Sequence, residues 1–332
     1  MYSLEEITAV HLEITSRCQA KCPMCSRNLQ GGKVNPLIDL DEVTLEQFKE
    51  WFPIEFVTQL TSLYMCGNLG DPIIAKDTLE IFKYLKNNNP SIHLRMHTNG
   101  SGRNTNWWSE MARTGVYVIF GIDGLADTHS IYRINTDWHK IINNAKTFIS
   151  QGGKARWDMI VFQHNEHQVD ECRTLSQELG FAEFTVKHTS RFRDGQLNVL
   201  NDEGKTINIL YPTSKSHEMI DKVKKAKEET LPIIHCKVKK DNQIYVSATG
   251  TVTPCCWTDL EHDIPMSTLR INYLDIIGQW PNLKKQSLFD IFDNGYFESI
   301  KNAWSTCGLK VCTKQCGSFD KMNAQWTERA KS

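Results

Sequence analysis

The chain has 332 residues, with 38 basic and 39 acidic side chains and a net charge of −1. That balance provides no broad basic footprint for nucleic acid or an anionic membrane. The longest strongly apolar stretch, residues 116–122, is far too short to span a bilayer. Glu5 and Glu6 stand where a signal peptide would carry cations. A soluble, cytoplasmic protein of about two domains is expected.

Residues 10–14 read as a strand that runs into a cysteine cluster at Cys18, Cys22 and Cys25. Residues 44–52 read as a helix ended by Pro53, and residues 60–65 as a short apolar strand. Residues 77–86 have helical spacing at Leu79, Phe82 and Leu85. Residues 92–96 alternate and end at the turn signal Asn99-Gly100. A helix at 107–113, a buried strand at 117–122 and a helix at 138–150 follow, stopped by Gln151-Gly152-Gly153. Residues 156–162 read as a strand, 169–179 as a helix ending at Gly180, and 184–186 as the start of a sixth strand. Six such alternations imply a parallel sheet covered by helices. A full eight-unit barrel needs about 250 residues, and about 180 supply six units here, so a partial (β/α)6 TIM-type barrel is preferred to a doubly wound sheet.

After the sixth strand the pattern changes. Residues 190–206 are polar and glycine-bearing and read as a loop; residues 218–229 read as a charged linker helix. A hairpin around Gly250 and a helix over 288–304 complete a small cysteine-rich C-terminal region. The expected division is a barrel over residues 1–205 and a linker helix plus cysteine-rich domain over 206–332.

The chain has 11 cysteines: three within residues 18–25, six within 236–316, and only Cys66 and Cys172 between the clusters. Clustering of this kind in a reducing compartment points to metal rather than disulfides. Three thiolates in a loop after the first strand can hold three irons of a 4Fe–4S cluster and leave one open. Zinc would want a fourth ligand, and no nearby His or Cys offers one.

The stretch from Glu13 to Arg27, Glu-Ile-Thr-Ser-Arg-Cys-Gln-Ala-Lys-Cys-Pro-Met-Cys-Ser-Arg, resembles the signature of the radical S-adenosylmethionine (SAM) family. The resemblance covers about residues 7–190. It implies a 5′-deoxyadenosyl radical made from SAM at the cluster, which then takes a hydrogen atom from substrate. Met65-Cys66-Gly67-Asn68-Leu69-Gly70-Asp71-Pro72 is similar to the family's Gly-Gly-Glu-Pro segment, whose backbone holds the cosubstrate's ammonium. Here Asp71 replaces the usual Glu and Asn68-Leu69 separate the glycines. His97-Thr98-Asn99-Gly100 and Gly121-Ile122-Asp123-Gly124 look like two further strand tips of the family, the second followed by His129 and Arg133. Gly67, Gly70, Asp71, Asn99 and Asp123 are therefore candidate cosubstrate contacts. Arg133 is a candidate for a bidentate carboxylate contact. Asn99 and Asp123 also suit plain turn formers.

Gln163, His164, Asn165, Lys187 and His188 lie at the fifth and sixth strand tips, where barrels place substrate contacts. Asp123, Lys187 and His188 join Cys66, a possible hydrogen-atom donor, as catalytic candidates. Buried, inert thiols remain the plainer account of Cys66 and Cys172.

Cys236, Gly250 and Cys255 resemble the start of a SPASM/twitch extension, and Cys312-x3-Cys316 its later part. Six cysteines cannot supply the eight ligands of two auxiliary clusters, so one auxiliary 4Fe–4S cluster is expected on Cys236, Cys255, Cys312 and Cys316. Cys307 is held in reserve, and Cys256 is expected to be a spectator on an extended segment. Four-cysteine zinc fits the same count. The resemblance implies a low-potential electron donor, a flavodoxin or ferredoxin, and a peptide, protein or small-molecule substrate. With the first strand starting near Ile7, no preceding peptide-recognition domain is expected. A non-catalytic metal-binding module is the rival from another class. An RNA-modifying radical enzyme is a third, against which the near-neutral charge argues.

Overall fold

The computed structural model describes residues 1–189, 191–192, 195–218, 234–259, 280–306, 311–312, 316 and 327–331. The expected helix at 218–229 lies outside them except for its first residue, and Cys307 lies outside them too. The chain divides into two compact units: residues 1–17, 39–94 and 229–321 form one, and residues 18–38, 95–228 and 322–332 the other.

In the first unit β1 (Ala9–Leu12) is buried on both faces. It pairs in parallel with β2 (Ser62–Met65) on one side and with β9 (Gln243–Val246) on the other. Between β1 and β2, α1 (Leu45–Trp51) starts at Thr44, whose side chain accepts from Gln47 N at 3.2 Å in a capping box. Pro53 breaks the chain before α2 (Ile54–Gln59), and α3 (Thr78–Asn88) follows β2. Phe48 packs tilted on Phe52, and Phe52 stacks on Phe56, as the aromatic core of this layer. The short α8 (Lys237–Lys240) leads into β9. The hairpin expected around Gly250 is present, with β10 (Val252–Thr253) antiparallel to β9.

The single helix expected over 288–304 is instead two, α10 (Leu288–Asp293) and α11 (Tyr296–Thr306). Asn294 and Gly295 separate them. Gly295 has φ +73°, a left-handed conformation that stops a helix. Cys256 does not lie on an extended segment: it opens the helical turn α9 (Cys256–Asp259).

In the second unit β3 (His93–Thr98), β4 (Tyr117–Gly121), β5 (Lys154–Ile160) and β6 (Glu183–Lys187) pair in parallel in chain order, and β11 (Thr327–Lys331) joins β6 antiparallel. The crossovers are α4 (Thr105–Arg113), α5 (His129–Tyr132) with α6 (Trp138–Ser150), and α7 (Val169–Glu178). Asn104 and Asp137 cap α4 and α6 by accepting from Trp107 N (2.9 Å) and Lys140 N (3.1 Å). Trp108, Phe120, Phe148, Trp157 and Phe181 make the core between sheet and helices.

The segment expected to be a loop over 190–206 contains β7 (Leu197–Leu200), which pairs antiparallel with β8 (Thr206–Leu210). The alternation Thr206-Ile207-Asn208-Ile209 after Gly204 already carried that strand signal. Among the described residues no helix is long and apolar enough to cross a membrane.

Candidate functional site

The loop that follows β1 carries Cys18, Cys22 and Cys25. Cys22 is buried, and the other two are half-buried. Backbone bonds from Cys25 N to Cys22 O and from Asn28 N to Cys25 O, both 3.0 Å, wind it into successive turns. Lys21 N donates to Ile134 O at 2.9 Å, and Asn135 Nδ2 to Gln19 O at 2.7 Å, so the segment after α5 anchors it.

Donors converge on the sulfurs. Ala20 N lies 3.3 Å from Cys18 Sγ, Asn99 Nδ2 3.7 Å from the same atom, and Arg133 Nη1 3.9 Å from Cys22 Sγ. Burial pushes the Cys22 thiol up to about 11, an effect Arg133 partly offsets. A thiolate there needs positive charge close by, which a metal ion provides. The donor set therefore fits an iron–sulfur group, and the N–H groups suit its sulfurs.

Asn99, at the tip of β3, is buried and accepts from Gln19 Nε2 at 2.7 Å. Asp123, after β4, is fully buried. Its Oδ2 accepts from Arg133 Nε at 2.6 Å and its Oδ1 from Ile160 N at 2.6 Å, while its own N–H donates to His129 Nδ1 at 3.1 Å. Burial lifts the Asp123 carboxyl, and Arg133 pulls it back. The structure thus joins Asp123, Arg133 and Cys22 in one row within this unit.

An apolar shell surrounds the same loop. Tyr132, Phe162, Phe192, Val199 and Leu210 pack with Ala20 and Cys22. The β7–β8 hairpin reaches it through Leu200 N to Gln30 O (2.9 Å) and an ion pair between Lys21 and Asp202 (2.6 Å). Such a cover strengthens electrostatics inside it and keeps water from reactive species.

The remaining strand-tip candidates have specific partners. Lys187 pairs with Asp158 at 2.5 Å, and Arg156 holds the same carboxylate at 2.6 Å. Burial would lift Asp158, but those two cations outweigh it and hold the carboxyl below its ordinary value. His188 is half-buried, and burial lowers it. His164 stacks on Phe162, with ring centroids 5.3 Å apart, and burial lowers it to about 4. Asn165 closes the turn after β5 by accepting from Phe162 N at 2.7 Å and donating to Asp123 O at 3.2 Å. Gln163 is exposed, and Cys172 is buried in α7 with its thiol pushed by burial up to about 12.

In the first unit, residues 67–71 form a tight backbone loop after β2. A Cβ on Gly67 would fall 1.4 Å from Gly70 O, and one on Gly70 1.8 Å from Thr15 O, so only glycine fits at either position. Asp71 N donates to Arg17 O at 3.0 Å, and Asp71 Oδ1 accepts from Ile73 N at 3.1 Å. Leu69 N and Gly70 N both donate to the buried Glu13 carboxylate, at 2.6 and 3.0 Å. Glu13 was not a candidate on sequence. The available signal was a charged residue between Leu12 and Ile14, directly after a strand buried on both faces. The half-buried Cys66 precedes this loop, and its carbonyl bonds His11 Nε2 at 2.9 Å.

Among the C-terminal cysteines of the same unit, Cys316 neighbours Cys236, and Cys256 and Cys312 neighbour Cys255. His235 N donates to Cys316 O at 2.7 Å, beside Cys236. Burial raises Cys236, and the nearby Cys316 adds to it; burial raises Cys255, and Cys256 and Cys312 add to that. Thiolates this close repel one another, and a bound metal that displaces their protons would relieve that cost. Among the described residues no three His, Cys, Asp or Glu side chains already stand in a metal-holding arrangement.

Parallel β/α units with a cysteine loop after the first strand define the class: a partial α/β barrel. Residues 12–175 match the family model of the Radical SAM superfamily, so the chain carries a radical SAM domain. The fold is also similar to that of Streptococcus suis SuiB bound to S-adenosylmethionine, with a TM-score of 0.59 at 12% identity over 96% of this chain and 74% of that one. SuiB bound to the precursor peptide SuiA gives a TM-score of 0.58 at 12% identity over 96% and 73%. The protein anSMEcpe with bound AdoMet gives 0.59 at 14% identity over 96% and 92%. No curated protein matches the chain.

Proposed function

We propose that this protein is a radical SAM enzyme in which Cys18, Cys22 and Cys25 hold three irons of a 4Fe–4S cluster. The observation that carries the proposal is one loop with three cysteines, met by N–H donors and an apolar cover, inside the stretch matched by the superfamily. When bound, the cluster and SAM supply a 5′-deoxyadenosyl radical that abstracts a hydrogen atom from a substrate C–H bond. The protein's own part is to bind, orient and exclude water. Gly67–Asp71 present close-set backbone to the cosubstrate. Asn99 is held by Gln19 beside Cys18, and Asp123 fixes Arg133 beside Cys22. Cys66, Asp123, Lys187 and His188 are the candidates for contact with substrate or a product radical.

A peptide or protein side chain is the favoured substrate class, ahead of a small molecule. Two proteins of this fold, SuiB and anSMEcpe, are known with peptides bound. One auxiliary 4Fe–4S cluster on Cys236, Cys255, Cys312 and Cys316, and a flavodoxin or ferredoxin as electron donor, complete the proposal. We place the protein in the cytoplasm, with the barrel over residues 1–205 and the auxiliary region over 206–332.

The test is anaerobic reconstitution followed by dithionite and SAM. The wild type will form 5′-deoxyadenosine and Cys22→Ala will not. Formation at the wild-type rate by Cys22→Ala would refute the ligand assignment.

A further inference from the structure

Glu13 is 2% exposed and lies one residue beyond β1. One carboxylate oxygen takes both loop amides, Leu69 N and Gly70 N. The other accepts the hydroxyl of Tyr245 at 2.5 Å. Tyr245 is fully buried in the middle of β9, nine residues after Cys236 and ten before Cys255. Glu13 N also donates to Val246 O at 2.8 Å, so β9 grips this residue by main chain and side chain together. A buried carboxylate costs stability unless its lone pairs are filled, and here amides of one segment and a hydroxyl of another fill them.

We infer that Glu13 and Tyr245 are a positioning pair through which the cysteine-bearing C-terminal segment sets the shape of the 67–71 loop and thereby its affinity for SAM. The inference rests on the proposed role of that loop in cosubstrate binding. Tyr245 restrains the carboxylate, the carboxylate fixes two consecutive loop amides, and the loop keeps the backbone spacing that its two glycines permit. A ligand held by backbone atoms is sensitive to small displacements of such a loop.

The groups facing Glu13 are Tyr245 from β9 and the loop amides of Asn68 to Gly70, and the β1 ring packed against the Tyr245 ring is His11. Burial lowers His11 to about 4, so the ring is neutral at pH 7; it stacks on Tyr64 at 4.3 Å and meets Tyr245 edge-on at 4.9 Å. Burial pushes Glu13 up to about 7, against the pull of Tyr245 and the amides. The strongest grip on the loop therefore develops as pH rises through that value. Removing the Tyr245 hydroxyl moves the midpoint higher.

The experiment measures SAM binding to anaerobically reconstituted protein by calorimetry between pH 6 and 9, for wild type, Tyr245→Phe and Glu13→Gln, with iron content and thermal unfolding alongside. Tyr245→Phe is expected to bind about ten-fold more weakly at pH 7, the effect of one hydrogen bond to a charged acceptor, and to approach the wild type at pH 9. Glu13→Gln is expected to fall further behind the wild type as pH rises. Iron content should stay unchanged in both. Variants that match the wild type across the range, or a Tyr245→Phe deficit equal at every pH, overturn the positioning role. A cluster-loaded wild type that binds no SAM at any pH overturns instead the proposed function beneath it.

Discussion

Replacing Arg133 with Met removes the charge partner of a carboxylate that has no exposed surface. The Asp123–Arg133 contact is 2.6 Å, and the Arg133 side chain is itself only 18% exposed. Breaking such a pair from one side costs about 3–5 kcal/mol, because the remaining charge stays buried. Asp123 keeps one strong donor, Ile160 N at 2.6 Å, which places the loss toward the lower end of that range. Without Arg133 the folded-state carboxyl sits well above its unfolded value. Protonation then favours the fold, and the deficit is smaller at pH 5 than at pH 8. Urea unfolding followed by tryptophan fluorescence reads the loss directly. Arg133→Met with Asp123→Asn completes a double-mutant cycle, with a coupling of about 1–3 kcal/mol expected. Single variants each within about 0.5 kcal/mol of wild type would show that the pair is not a structural charge couple.

Other consequences follow from the same geometry. Gly70→Ala places a methyl group 1.8 Å from Thr15 O; it should lower stability by roughly 1–3 kcal/mol and weaken SAM binding more than ten-fold, read by denaturation and calorimetry. Glu13 is raised from 4.5 to about 7 in the fold, so its contribution to stability is complete below pH 4.5 and is lost as pH rises to 7. The interval amounts to about 3 kcal/mol, and Glu13→Gln should remove that slope from the pH dependence of unfolding. Cys316→Ala should keep the first cluster and lose about four irons by iron assay, as expected for one auxiliary cubane; unchanged iron would take Cys316 out of the ligand set.

The barrel-type core was legible because each strand of the β/α series is a short apolar or alternating run between helices with visible caps and stops. The helix over 138–150 matches its expected limits for that reason: Asp137 caps its start and Gly152-Gly153 follows its end. What escaped depends on distant pairing. β9 joins β1 across more than 230 residues, and the Glu13–Tyr245 bond exists only because of that register. β11 has the sequence Thr-Glu-Arg-Ala-Lys, which carries no apolar alternation and is ordered by pairing with β6. The β7–β8 hairpin was masked by its polar, glycine-bearing lead-in, although it covers the cysteine loop. Cysteine spacing located the loop at residues 18–25 but could not show its buried partners. Arg133 stands against Cys22 because α5 ends there, and Gln19 meets Asn99 only once β3 is in place.

In the proposed enzyme three thiolates hold a cubane whose fourth iron is open to SAM. Electron paramagnetic resonance of the reduced, anaerobically reconstituted Cys316→Ala protein, recorded with and without SAM, tests this with only the first cluster expected to be present. A cubane signal whose g values shift when SAM is added is expected. A signal that SAM leaves unchanged, or none at all, would contradict the proposal.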